Sequence, residues 1–141
     1  MAAPKSWSSD VAAVRRRKHF TLDEAHRALP LVKQIVTDIV RTHDRASNLH
    51  AQLEHRLPAP QRGELETNLE KTVDRLNDLV DELKDIGVEL KDYRLGLIDF
   101  VGKHEGREIY LCWKLGEPAI EHWHELQDGI AGRQPVSLLA R

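Results

Sequence analysis

The groups that bind metals, move protons and anchor partners crowd into the stretch from Leu111 to Arg133. It holds the single Cys, two of the three Trp and two of the eight His. Asp99, Cys112, Glu117 and His124 form the candidate ligand set. Zinc accepts imidazole nitrogen, carboxylate oxygen and thiolate sulfur, and three protein ligands leave a fourth position for water, so a divalent metal such as zinc is the candidate cofactor, none being identified by the sequence. The spacing completes neither a paired-Cys nor a His-Glu-x-x-His motif, which makes the outcome depend on local structure. If Glu121 to Leu126 is a strand, His122 and His124 share a face and could ligate one metal. If it is a helix they lie about 200° apart, and His124 meets Glu121 and Asp128 instead. The structural alternative gives His124 and Glu117 to buried backbone groups at chain turns and Trp113 and Trp123 to the core.

Asp99 shares a strand face with Leu95, Leu97 and Val101, which sets a carboxylate among aliphatics, and a buried carboxylate needs a partner. Arg133, Lys91 or His124 can supply it, as a structural ion pair or as the polar floor of a pocket. Cys112 alternates with Leu111 and Trp113, the setting of an inert buried thiol. A nucleophile would need a neighbouring base and an exposed thiolate.

Two kinds of element must position these residues. Residues 1–19, with the basic cluster Arg15 to Lys18, lack a sustained period and are expected to be a mobile arm. Thr21 and Glu24 then form a capping box. Pro30 sits too deep for a first-turn proline, so a short or kinked helix is expected over Leu22 to Leu29, with the long helix starting at Pro30. From there Val32, Ile35, Val36, Ile39, Val40, His43, Ala46, Leu49 and Leu53 recur at helical spacing to about Arg56. Leu57 to Pro60 breaks the pattern, and Leu65, Leu69, Val73, Leu76, Leu79, Val80, Leu83 and Ile86 supply a second seam. The two form an antiparallel, coiled-coil-like hairpin, each arm roughly 35 to 40 Å long, with a projecting tip. The seam widens over Leu31 to Val40, beyond what one partner helix buries. Either the C-terminal part packs there or a second protomer does, and a homodimer through the hairpin is the symmetric solution.

Gly87 ends the helix in a left-handed conformation and Val88 to Leu90 begins an extended segment. Leu95 to Val101 and Arg107 to Lys114 flank a loop at Gly102 to Gly106 as a β-hairpin, with Ile109, Leu111 and Trp113 on one face and Glu108, Tyr110 and Cys112 on the other. The expected fold class is therefore α+β: a long antiparallel helical hairpin (20–87) followed by a small antiparallel β-sheet region (88–136), one domain over 20–136, and a tail at 137–141.

At 141 residues there is room for one modest core, with 31% charged and 40% hydrophobic residues and no apolar run long enough to span a bilayer. A net charge of −2 and an acidic second helix argue against nucleic acid as a partner. The lone Cys and the lack of a secretory leader favour the cytoplasm.

The order Phe20-Thr21, Glu24-Ala25, Leu29-Pro30, Lys91-Asp92, Gly96-Leu97, Asp99-Phe100, Leu111-Cys112-Trp113, Gly116-Glu117, Trp123-His124, Gly129 and Gly132-Arg133-Gln134-Pro135 resembles the bacterial domain of unknown function 2203 family, over Phe20 to Val136. Val101 departs from the pattern, where the family tends to have Pro after Asp-Phe, so a looser strand end is implied. The resemblance implies no activity. It does imply that Lys91, Asp92, Asp99, Cys112, Glu117, His124 and Arg133 belong to a shared pattern, with Lys91, Asp92, Asp99 and Arg133 as a polar pocket or ion-pair set. Three classes of function follow. The first is a binding or assembly protein, open to a protein partner, with a polar pocket in its β-region. The second is a metal-binding protein or small metal-dependent enzyme using His124 with Glu117, Asp99 or Cys112. The third is an RNA- or ribosome-associated factor using Arg15 to Lys18.

Overall fold

The computed structural model describes residues 18–139. Of the basic cluster only Lys18 falls among them. Two antiparallel helices, α1 (Leu22–Leu53) and α2 (Ala59–Ile86), are followed by five strands: β1 (Val88–Asp92), β2 (Leu97–His104), β3 (Arg107–Lys114), β4 (His122–Glu125) and β5 (Gln134–Pro135). Each strand pairs antiparallel with the next in sequence, giving one sheet in the order β1-β2-β3-β4-β5. This is the expected α+β arrangement. No helix of the described residues is long and apolar enough to cross a membrane.

The Thr21 capping box is formed: the Thr21 hydroxyl accepts from the Glu24 amide (3.1 Å) and the Glu24 carboxylate accepts from the Thr21 amide (2.9 Å). The expected break at Pro30 is absent, and α1 runs unbroken for 32 residues. Proline removes one hydrogen bond and crowds the carbonyl four residues back, at about 3 kcal/mol. Ala25 and Leu29 before it and Val32, Ile35 and Val36 after it are all buried in the same core, and packing both sides of Pro30 against one surface offsets that cost. Between the helices, the Arg62 guanidinium donates to the carbonyls of Leu53 (2.8 Å) and His55 (3.1 Å), satisfying acceptors that the end of α1 leaves open.

The sheet's inner face carries Val88, Ile98, Phe100, Ile109, Leu111, Trp113 and Trp123. It packs on Ala25, Leu29, Val32, Ile35, Val36 and Ile39 of α1 and Leu76, Leu79 and Leu83 of α2 in one continuous core. The wide seam on α1 is thereby covered within a single chain. Val40 is half-buried against the core and only Leu31 of that stretch is exposed among the aliphatics. The width of the seam is thus accounted for by the sheet and does not by itself call for a second protomer.

The β2–β3 hairpin is tighter than the sequence suggested. Gly102 to His104 belong to β2, and the turn is the pair Glu105-Gly106, both at positive φ (52° and 78°). Ser137 to Leu139, expected as tail, complete a 3-10 turn from Val136, and Leu139 packs on the core. Phe20 ties the start of α1 to the sheet: its amide donates to the Val101 carbonyl (2.7 Å) and its ring meets Phe100 edge-on at 5.1 Å.

Gly96, in the turn before β2, has φ +66°. A Cβ there would meet Leu115 Cβ at 2.8 Å and Val36 Cγ1 at 2.9 Å. Gly96→Ala should therefore cost about 1–3 kcal/mol by adding backbone strain and a clash at the helix–sheet junction. A urea midpoint equal to wild type would contradict this.

Candidate metal centre

The outer face of the sheet is where the polar residues meet. Asp99 on β2 pairs directly with Cys112 on β3, and His124 on β4 pairs with Tyr110, one step along the same face. Residues 121–126 include a strand rather than a helix, because β4 continues the antiparallel pairing from β3. Asp99, Cys112 and His124 are all buried (1%, 0% and 3% exposed), and one potential ligand atom from each lies within 4.8 Å of the other two.

The hydrogen bonds of His124 fix what its ring can do. Nδ1 lies 2.7 Å from the backbone carbonyl of Glu125, and Nε2 lies 3.1 Å from Asp99 Oδ1. A carbonyl can only accept, so Nδ1 carries a hydrogen, and with no proton on Nε2 the ring would turn a lone pair toward Asp99. An ionised carboxylate also only accepts. Two lone pairs facing each other in a buried site require a cation between them, either a proton or a metal ion.

Burial pushes the Asp99 carboxyl above the usual carboxylate range, although His124, Cys112 and Lys91 pull it back in part. Burial also pushes the Cys112 thiol up to about 12, helped by the charge of Asp99 and opposed by Arg133. Such a thiol stays protonated at neutral pH and is closed to solvent, so it is not poised as a nucleophile. A coordinated metal inverts this preference by deprotonating the thiol outright.

Glu117 does not join the three. Its Oε1 accepts from the Arg133 guanidinium (2.7 Å) and from the Lys114 amide (2.8 Å) in the turn after β3, and Trp113 Nε1 donates to its backbone carbonyl (3.0 Å). Burial works against its charge, but Arg133 and the Lys114 amide prevail and hold its carboxyl below the ordinary glutamate range. The charge of Arg133 also acts on the Cys112 thiol, which links the two groups. Lys91 donates to Glu89 (2.8 Å) and lies 4.5 Å above the Tyr110 ring, whose hydroxyl donates to Glu89 (3.0 Å). Asp92 sits apart, accepting from the Arg94 and Leu95 amides in the β1–β2 turn (both 2.8 Å).

The expected four-residue polar set thus separates. Asp99 goes to His124, Arg133 to Glu117, Lys91 to Glu89, and Asp92 to a turn. A family model described as "Uncharacterized conserved protein (DUF2203)" matches residues 18–136. The chain belongs to the DUF2203 family. No curated protein and no solved structure matches it. Every polar residue described above lies inside the DUF2203 match.

His122, expected to share a ligand face with His124 if the segment is a strand, faces Cys112 directly across β3–β4 and lies with Nδ1 3.9 Å from Glu117 Oε2. Its two-residue spacing from His124, once the segment is a strand, is the signal that places both on one face.

Proposed function

We propose that this chain is a metal-binding protein, holding a divalent ion such as zinc between Asp99, Cys112 and His124. The observation that carries the reading is the buried convergence of Asp99, Cys112 and His124, whose potential ligand atoms lie within 4.8 Å of one another, with the far side of the His124 ring already anchored on the Glu125 carbonyl. Metal-bound histidines show this second hydrogen bond, which fixes the ring and raises its basicity. With bonds of about 2.0–2.1 Å, an N···O separation of 3.1 Å corresponds to an angle of roughly 100° at the metal, close to tetrahedral. The charges also balance: a dication with Asp99 and Cys112 ionised and His124 neutral is uncharged overall, while Lys91 and Arg133 nearby have carboxylates of their own.

Full burial of all three ligands favours a closed site that ties β2, β3 and β4 together over a catalytic one that must admit substrate. Cobalt titration of metal-free protein tests the reading. A thiolate-to-metal charge-transfer band should appear at one equivalent and be lost in Cys112→Ser; no band in the wild-type protein would sink the proposal. Affinity should also rise with pH. Because the thiol is held up to about 12, each bound ion releases at least the Cys112 proton, giving at least about a tenfold tighter apparent affinity per pH unit between 6 and 8. Where the proton shared by Asp99 and His124 is displaced too, the dependence approaches about a hundredfold per unit. An affinity flat across that range would contradict thiolate ligation.

A further inference from the structure

Resting on the metal-site reading, we infer that His122 and Glu117 form an outer half-site through which the ion passes on its way to the buried cluster. A sealed site of three ligands has to be reached, and His122 on the same sheet face, with Glu117 in the turn after β3, shows where. The His122 side chain is 35% exposed and that of Glu117 16%, against 3% for His124 and 2% for Asp99, so the pair stands at the rim of the buried network. His122 Nδ1 is itself buried and has no hydrogen-bond partner. It points toward Glu117 Oε2 at 3.9 Å, too far for a hydrogen bond and a span that two metal–ligand bonds of about 2.1 Å can bridge.

Taking up a cation there breaks nothing. The imidazole nitrogen has no bond to lose, and Glu117 keeps its Oε1 contacts with Arg133 and the Lys114 amide while Oε2 turns to the ion. The next step is short, because His122 and Cys112 are direct cross-strand partners, with Cβ atoms about 5 Å apart in such pairs. The half-site is also weak. It offers two ligands, and the guanidinium of Arg133 lies beside it, so an ion is held firmly enough to enter and loosely enough to leave.

The test is the rate of cobalt uptake by metal-free full-length protein, followed by stopped flow in the charge-transfer band, with release to a chelator measured in the same way. His122→Ala should slow uptake and release severalfold while leaving the final spectrum and the equilibrium affinity as in wild type. His122→Cys, which restores a ligand, should recover much of the rate. Uptake by His122→Ala at the wild-type rate would overturn the route while leaving the buried site intact. Loss of the final spectrum in His122→Ala would make His122 a permanent ligand and equally overturn a transit role. A wild-type protein that takes up no cobalt would remove the buried site and the route together.

Discussion

His124→Ala should weaken zinc binding by more than about a hundredfold, because groups that merely orient a ligand already account for about 10–100-fold and His124 is the ligand itself. The same variant carries a second, metal-free signature. His124 is among the groups that lower the Asp99 carboxyl. Without the ring Asp99 keeps its burial and loses one of its partners, Cys112 and the charge of Lys91 remaining, so its carboxyl rises further and the variant is destabilised by about 1–3 kcal/mol, the cost of under-satisfying a buried polar group. Isothermal titration with zinc and urea denaturation of metal-free protein measure the two effects separately. Zinc bound by the variant as tightly as by wild type would place the ligands elsewhere, for example among the surface histidines His50 and His55.

Trp113→Ala should produce the largest loss of stability in the chain, about 3–5 kcal/mol. Trp113 is fully buried at the centre of the inner sheet face, and its indole N–H donates to the Glu117 carbonyl. Truncation removes apolar surface from the helix–sheet core and releases the turn that carries Glu117. Against a typical total of about 5–15 kcal/mol, such a change leaves the protein near its unfolding threshold at ordinary temperature. Trp113→Phe, which keeps most of the volume and loses the donor, should cost much less. A truncation cost below about 1 kcal/mol would mean that Trp113 does not organise the core.

The elements that were legible in the sequence are those governed by local chemistry. Thr21 and Glu24 are three residues apart and can only cap one another across a first turn. Gly87 ends α2 at φ +99° because the chain reverses there. The alternation of Ile109, Leu111 and Trp113 against Tyr110 and Cys112 follows from the pleat alone. What escaped depends on partners distant in sequence. Pro30 reads locally as a break, and only the sheet, which buries residues on both sides of it, keeps α1 continuous. Whether Glu121 to Leu126 becomes strand or helix is settled by pairing with β3, and that pairing sets His124 near Asp99, 25 residues away in sequence. Glu117 looks like a ligand by type and position, but the C-terminal segment brings Arg133 onto it, 16 residues later. The Leu31 to Val40 seam is too wide for one helix, and nothing in its spacing distinguishes a covering sheet from a covering protomer.

The reach of α1 past the sheet divides the molecule thermodynamically. Its 32 residues extend about 48 Å at 1.5 Å each, and its buried side chains from Ala25 to Ile39 lie at the sheet end, with only Leu49 beyond them. On α2 no residue before Thr72 is buried. The tip is therefore held by helix pairing alone, while the base is held by helix, helix and sheet together. Amide protection should fall along the hairpin from base to tip, because the tip can open without disturbing the core, whereas the strands bearing Asp99, Cys112 and His124 exchange only when the whole molecule unfolds. The outer arm can thus be bent, cut or remodelled by whatever it meets at little cost to the chemistry at the other end.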